Sequence, residues 1–407
     1  MSNAASMLHA TPQSRGDVEI ELLLRCASVP VVETQDRRIR ELLHDRIDWD
    51  YLLQMATRHG LRPILYRRLK ATYPELVPQS HLENLRASAR HTVARNMLLQ
   101  AELHELLRAF AGENIPALPH KGSVLAEKVY GDISLREFTD LDIVVRRRDV
   151  ARASKLLIAR GFQKCVLTDD KHTSLSLALP SCEEAFVRDD SLKTCVDLHW
   201  ALAPHRVSPS LDAERLWNRL QPIAIGGTHA LSFTNEDLLI ILCVHGGKHR
   251  WERLAWLCDI ARLIGTHQHS LNWERMFADA RSFGVERMFM LGLFLAQDLL
   301  GATLPDEVWQ RARADARVVS LAAKVNEELR RDISQPVSAW QKFSFVFQAR
   351  ERWRDAARLI HGYAFMPTPI ERDAVSLPAS LSALYYLIRP MRLSIKIGRT
   401  LLRRSPR

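Results

Sequence analysis

Long apolar runs are missing from this sequence: no stretch approaches the roughly 20 residues needed to span a bilayer. The N-terminus also lacks the basic, apolar and small-residue succession of a secretion signal. Its first residues, Met1-Ser2-Asn3-Ala4, read as a vector-derived scar and are set aside. Paired cysteines are missing too. Cys26, Cys165, Cys182, Cys195, Cys243 and Cys258 show no CxxC spacing and no metal-ligand rhythm. In a chain expected to be cytoplasmic they read as small buried hydrophobes, not as a disulfide framework or a zinc site. No internal repeat is present. These absences leave a soluble cytoplasmic protein with no integral membrane segment as the expected class.

The composition is that of a folded protein, with 47% hydrophobic and 26% charged residues. A length of 407 residues suggests two or three modules. Lys and Arg number 57 against 47 Asp and Glu, a net charge of +10. That surplus favours anionic partners, whether nucleotide phosphates, nucleic acid or an anionic membrane surface, and does not choose among them. It is densest at the end, where Arg389, Arg392, Lys396, Arg399, Arg403, Arg404 and Arg407 follow one another with no acidic residue between them.

Periodicity divides the chain into three parts. Residues 1–112 read as an N-terminal helical region. There Trp49, Leu52, Leu53, Ala56 and His59 fall at helical spacing behind a capping Asp48, and Gly60 and Pro63 punctuate the chain. A long helix is expected from about His81 to Gly112. Residues 113–230 read as a small α/β unit. Ala117 to His120 is a short extended piece, Lys121-Gly122-Ser123 opens a helix to Tyr130, and Gly131-Asp132 closes it. Thr139 to Val145 has strand alternation, Asp149 to Arg160 is helical, and Cys195 to Trp200 is a further strand. From Asn235 onward the pattern is helical, which makes 231–407 a C-terminal helical domain with a basic tail. The fold class is α+β.

The chemistry concentrates in the middle part. In Thr139-Asp140-Leu141-Asp142-Ile143-Val144-Val145, residues two apart share a face. Asp140 and Asp142 therefore project together while Leu141 and Ile143 pack behind. Two adjacent carboxylates repel unless a cation lies between them, and Mg²⁺ prefers oxygen ligands while keeping sites for water and phosphate. A solvated strand face gives the same pattern, so the companions decide. Lys121-Gly122-Ser123 stands at a loop-to-helix junction, where free N–H groups and a partial positive charge suit phosphate; an ordinary Ser123 cap fits as well. Asp197 stands in an apolar strand, where a carboxylate is costly unless it is paired or bound to metal. It completes a three-carboxylate site, or else it salt-bridges a neighbouring Arg. Arg136 either meets phosphate or braces the carboxylates. A fourth candidate cluster is the segment His245 to Leu254, read as a helix with His245, Lys248, His249 and Glu252 on one face. The His245–His249 pair with Glu252 can hold a metal, Lys248 can meet phosphate or acceptor from there, or the face is one of interdomain packing. Asp259 is expected to hold an Arg inside the helical bundle.

The order Lys121-Gly122-Ser123, helix, Tyr130, Arg136, Asp140-Leu141-Asp142-Ile143-Val144-Val145 and then Val196-Asp197-Leu198-His199-Trp200 resembles the polymerase-β-like nucleotidyltransferase superfamily. It looks closest to an uncharacterised bacterial branch of nucleotidyltransferase proteins. The resemblance reaches more weakly to Asp48-Trp49, to the segment from His245 to Asp259, and to Leu384-Tyr385-Tyr386 with Arg389-Pro390. It implies a small mixed-sheet core flanked by helical regions, with Gly122 and Ser123 as the triphosphate-holding turn. It further implies Asp140, Asp142 and Asp197 as catalytic and metal-binding residues for two Mg²⁺ ions. Lys121 departs from the usual glycine or apolar residue at the first position of the turn. The implied activity is transfer of a nucleoside monophosphate from an NTP to an acceptor hydroxyl, with release of pyrophosphate. Lys121, Gly122, Ser123, Arg136 and Lys248 would contact the nucleotide.

Three rival readings stand beside it: a catalytically silent nucleotide-binding or scaffold protein, an RNA-binding protein, and a peripheral membrane protein working through the basic tail, which reads equally well as an ordinary solvated helix. Retention of all three carboxylates and Ser123 speaks against decay. Few aromatics interleave with the tail's cations, which weakens base stacking. The acceptor (small molecule, protein or RNA), the preferred NTP and the oligomeric state are not encoded in any recognisable motif.

Overall fold

In the computed structural model, helices occupy both ends of the chain and a small mixed sheet lies between them. The structure describes residues 16–29, 33–165, 182–203, 208, 211, 213–331, 337–365, 375, 378, 381 and 384–404. Residues 1–4 lie outside these. The N-terminal helices are α1 (Asp17–Ala27), α2 (Glu33–His44), α3 (Trp49–His59), α4 (Arg62–Thr72) and the long α5 (Gln79–Gly112). Asp48 caps α3 by accepting from the Tyr51 N–H at 3.0 Å, and Gly60 ends the helix in the left-handed region. Pro63 lies in the first turn of α4, where its missing N–H leaves no helical bond unmade.

The sheet comprises β1 (Ala117–His120), β2 (Asp140–Val145), β3 (Gln163–Lys164), β4 (Glu183–Val187) and β5 (Cys195–His199). Its order is β1-β2-β5-β4-β3, with β2 and β5 parallel and the other pairs antiparallel. Between β1 and β2 runs α6 (Gly122–Leu125), continued by a π-helical turn over Ala126–Tyr130; α7 (Val150–Ala159) follows β2. After α8 (Ala213–Leu216), a separate hairpin of β6 (Gln221–Ile225) and β7 (Thr228–Ser232) leads into the C-terminal helices. These are α9 (Asn235–Lys248), α10 (Leu254–His267), α11 (Trp273–Phe283), α12 (Glu286–Leu300), α13 (Asp306–Ala314), α14 (Ala316–Arg330), α15 (Ala339–Gln348), α16 (Trp353–Phe365) and α17 (Tyr385–Arg404). The architecture is α+β, as the periodicity indicated.

Two hydrophobic cores explain why the sheet sits where it does. Leu141, Ile143, Val145, Val196, Leu198 and Phe186 pack against Leu99, Leu103, Leu106 and Phe110 of α5 and Ala153 and Leu157 of α7. Fully burying one such side chain contributes about 1.5–3 kcal/mol, so this one-sided apolar face fixes the register of the strands. The second core is shared between the ends of the chain: Leu22, Leu52, Leu65, Leu257, Leu291 and Leu321 belong to it together. Leu118, Val144 and Leu125 also reach it, so the opposite face of the sheet is turned toward the helical mass. Asn96 of α5, fully buried, donates to the carbonyls of Ile133 and Arg136 at 2.8 Å and holds the loop entering β2.

Candidate active site

Strand pleating and register gather the polar groups. On β2, Asp140 and Asp142 share the face opposite Leu141 and Ile143. The parallel pairing sets Asp142 beside Asp197 and Asp140 beside Cys195. On the outer pairs, His120 of β1 lies opposite Asp142, and Glu183 of β4 lies opposite His199. One face of the adjacent strands β2 and β5 therefore carries Asp140, Asp142, Asp197 and His199, with His120 of β1 and Glu183 of β4 at its margins. A ligand atom from each of Asp142, Asp197 and His199 lies within 4.8 Å of the others.

Lys121, at the junction of β1 and α6, completes the group. Its ammonium is 3.0 Å from Asp142 Oδ1. His199 Nε2 reaches the same oxygen at 2.8 Å, and its Nδ1 is 3.1 Å from Glu183 Oε2. Both ring nitrogens of His199 thus face carboxylates, and Lys121 and His199 both meet Asp142 at Oδ1. Among the described residues no Lys or Arg forms an ion pair with Asp140 or Asp197, so the salt-bridge reading of Asp197 is not met.

The electrostatics follow from burial and crowding. Burial pushes the Asp140 carboxyl up, and neighbouring Asp142 adds to the rise. For Asp197 burial and the Asp142 charge together push it up to about 7. Burial works against the charge of Asp142 as well, but Lys121 and the His199 hydrogen bond hold it well below the usual range. His199 loses by burial and gains more from Asp142 and Glu183, which raise it to about 9. His120, buried beside Lys121, is driven the other way and stays neutral.

The turn that begins α6 has the backbone of a close-approach site. Lys121 adopts φ 55° and ψ −129°, a strained conformation for a side chain with a Cβ, costing about 1–3 kcal/mol. Gly122 follows at φ 32°. A Cβ there would meet Phe138 only at 3.7 Å, so the angle and not the space demands glycine. Ser123 is buried, and its Oγ has no hydrogen-bond partner among the described residues. A polar atom left unpaired beside free helix N–H groups is what a phosphate would satisfy.

Arg136 points elsewhere. Its guanidinium forms a two-pronged pair with Asp259 of α10, both bonds at 3.0 Å, and the Tyr130 hydroxyl donates to the same carboxylate at 2.8 Å. Asp259 does hold a buried Arg, and Arg136 braces that residue, not the strand carboxylates. Its charge still helps to lower Asp140. The segment from His245 to Leu254 is not one helix: α9 stops at Lys248, and Arg250 and Trp251 adopt φ 56° and 58°. The break arises because the Trp251 ring folds back over Gly246, while the Trp251 backbone N–H donates to the Gly246 carbonyl at 2.8 Å. Glu252 therefore leaves the supposed face. His245 and His249 pack with each other and with Trp256, ring centroids 4.8–5.2 Å apart. Lys248 stays close enough for its charge to help lower Glu183.

The donor set suits a hard cation. The side chains close enough to share a cation are Asp142, Asp197 and His199, with Asp140 on the same face of β2, and repulsion among the carboxylates is what a cation would relieve. A mixed sheet thus presents three carboxylates beside a glycine-serine turn. The chain belongs to a family described as uncharacterised nucleotidyltransferases, whose profile matches residues 45–301. No curated relative matches it. Among solved structures it is similar to an antigenic nucleotidyltransferase-like protein from Paracoccidioides brasiliensis, with 17% identity over 52% of this chain and 96% of that one and a TM-score of 0.34. It is also similar to the antibiotic-resistance factor ANT(2'')-Ia, with 12% identity over 57% of this chain and 98% of that one and a TM-score of 0.28.

Two site residues were given no role from the sequence. His199 had a signal, since it lies two positions after Asp197 and must share its face. Glu183 had none, because its place depends on the antiparallel pairing of β4 with β5.

Proposed function

We propose that the protein transfers a nucleoside monophosphate from an NTP to an acceptor hydroxyl in a Mg²⁺-dependent reaction. The observation that carries this reading is the Asp142–Asp197 register, which unites three carboxylates on one face beside the Lys121-Gly122-Ser123 turn. Two Mg²⁺ ions, when bound by Asp140, Asp142 and Asp197, would supply charge neutralisation and Lewis acidity at the phosphates.

The protein's own groups have distinct tasks. The N–H groups of the turn and Ser123 Oγ bind the triphosphate. Lys121, at the start of the turn beside Asp142, directs its charge to the phosphates. Asp197 orients the acceptor hydroxyl and takes its proton. The acceptor oxygen then bonds to the α-phosphorus, the bond from that phosphorus to the bridging oxygen breaks, and pyrophosphate leaves. His199 and Glu183 keep Asp142 oriented throughout. The cytoplasm, where NTP and Mg²⁺ are at hand, is the fitting location.

The test is incubation with Mg²⁺ and each α-labelled NTP, with a lysate as the source of acceptor. An Asp140→Ala, Asp142→Ala double variant runs alongside. Label moved by the wild type and not by the variant supports the reading and gives the size class of the acceptor. Neither transfer nor Mg²⁺-dependent NTP binding by the wild type would leave the scaffold alternative.

A further inference from the structure

From α15 to α17 the surface changes character. Of sixteen large apolar side chains exposed among the described residues, twelve lie from Trp340 onward. Trp340 and Trp353 are 70% and 76% exposed, and Leu387, Met391 and Ile395 of α17 are 61%, 66% and 55% exposed. Those three recur every four residues and so line one stripe of the helix. Tyr385 and Arg389, on another side of the same helix, are buried. The stripe is therefore the outer face of a seated helix and not a core that failed to pack.

Charge follows the same boundary. From residue 337 to the end, thirteen Lys and Arg face four Asp and Glu, which accounts for nine of the ten excess positive charges of the chain. Within α17 there is no acidic residue, and the exposed Arg392 stands one position from Met391. Among the described residues no helix is long and apolar enough to cross a membrane. An amphipathic helix with an apolar stripe and a basic sequence without acidic residues is suited to lie in a bilayer interface. Exposed tryptophans, apolar in body and polar at the N–H, favour the same depth.

We propose that α15–α17 form a surface that docks the protein onto an anionic lipid bilayer, with Leu387, Met391 and Ile395 entering the acyl boundary and the surrounding cations meeting the headgroups. Two other occupants fit less well. A second copy would bring two surfaces of the same strong positive charge together. A single-stranded nucleic acid would need several aromatic faces between the cations of α17, whereas Tyr386 is its one exposed aromatic among the described side chains and the stripe of Leu387, Met391 and Ile395 is aliphatic. The inference is independent of the catalytic reading.

The test is flotation of the full-length protein with phosphatidylcholine vesicles, with and without phosphatidylglycerol. Binding is expected with phosphatidylglycerol, falling as salt rises, because headgroup attraction is screened. A Leu387→Glu, Met391→Glu, Ile395→Glu variant should bind about a hundredfold less or weaker still, since each apolar side chain contributes about 1.5–3 kcal/mol on burial. All three residues are exposed, so its thermal melting should match the wild type. If it does not, Arg392→Glu and the salt series on the wild type carry the test. The proposal is overturned if the wild type binds neither vesicle, or binds both equally. It is also overturned if light scattering shows a dimer that the triple variant dissociates while vesicles stay unbound, or if RNA is bound in place of vesicles.

Discussion

One oxygen of Asp142 receives both Lys121 and His199, and this decides how the site meets a cation. Lys121 neutralises the carboxylate, so an incoming divalent ion competes with the ammonium for it. Lys121→Met keeps most of the stem and removes the charge. Calorimetric titration should show Mn²⁺ or Mg²⁺ binding the free variant several-fold more tightly than the wild type. NTP binding in the presence of metal should weaken by about tenfold or more, since a charge-assisted phosphate contact worth about 1.5–3 kcal/mol is lost. If both affinities stayed unchanged, Lys121 would be only a structural neighbour. Gly246 poses a steric question of the same size. A Cβ there would stand 2.1 Å from the ring of Trp251, a side chain with no exposure at all. Neither helix nor indole has room to shift, so Gly246→Ala should cost about 1–3 kcal/mol in denaturant unfolding.

Between elements, the clamp of Arg136 on Asp259 joins the loop before β2 to α10 and so ties the sheet to the helical mass. Asp259 is buried and Arg136 nearly so, and removing one leaves the other charge stranded. Asp259→Asn should destabilise by about 3–5 kcal/mol, and Arg136→Met with Asp259→Leu should recover much of that, because the paired replacement strands neither charge. Equal losses for the single and the double variant would show that the Tyr130 hydroxyl, not the ion pair, is the important partner. This clamp also marks the limit of what the sequence reveals. Asp140 and Asp142 were legible because strand alternation is a local property, and α3, α5 and α7 because helical spacing and caps are local too. That Asp259 would hold an Arg was legible from its buried helical setting. Which Arg it holds was not, since the two are 123 positions apart and meet only through tertiary packing. The break after Lys248 was missed for a related reason. Helical spacing continues through Glu252, and only the indole lying on Gly246 forces the chain to turn.

At the scale of the whole molecule, the two helical regions are not independent, because residues of α1, α3 and α4 share one core with α10, α12 and α14. His59 stands at that junction. It is fully buried at the end of α3, and its Nδ1 accepts from the Leu254 N–H of α10 at 3.4 Å. Burial, followed by the charge of Arg58, pushes the imidazole down to about 3. In the unfolded chain the same ring takes a proton near 6.5. Between those values the unfolded state binds more protons, so stability rises with pH there. The contribution of a neutral His59 is whole above about pH 6.5 and is lost as pH falls toward 3. By pH 5 the loss should reach about 2 kcal/mol. His59→Leu removes the titrating group and fills similar space, although it gives up the bond from Leu254. Urea unfolding of both proteins between pH 7 and pH 5 isolates the effect. The variant should start less stable than the wild type at pH 7 and close the gap by about 2 kcal/mol at pH 5. A gap that does not narrow would mean that the ring opens to solvent before it is protonated, and that the junction between the two ends of the chain is looser than its packing indicates.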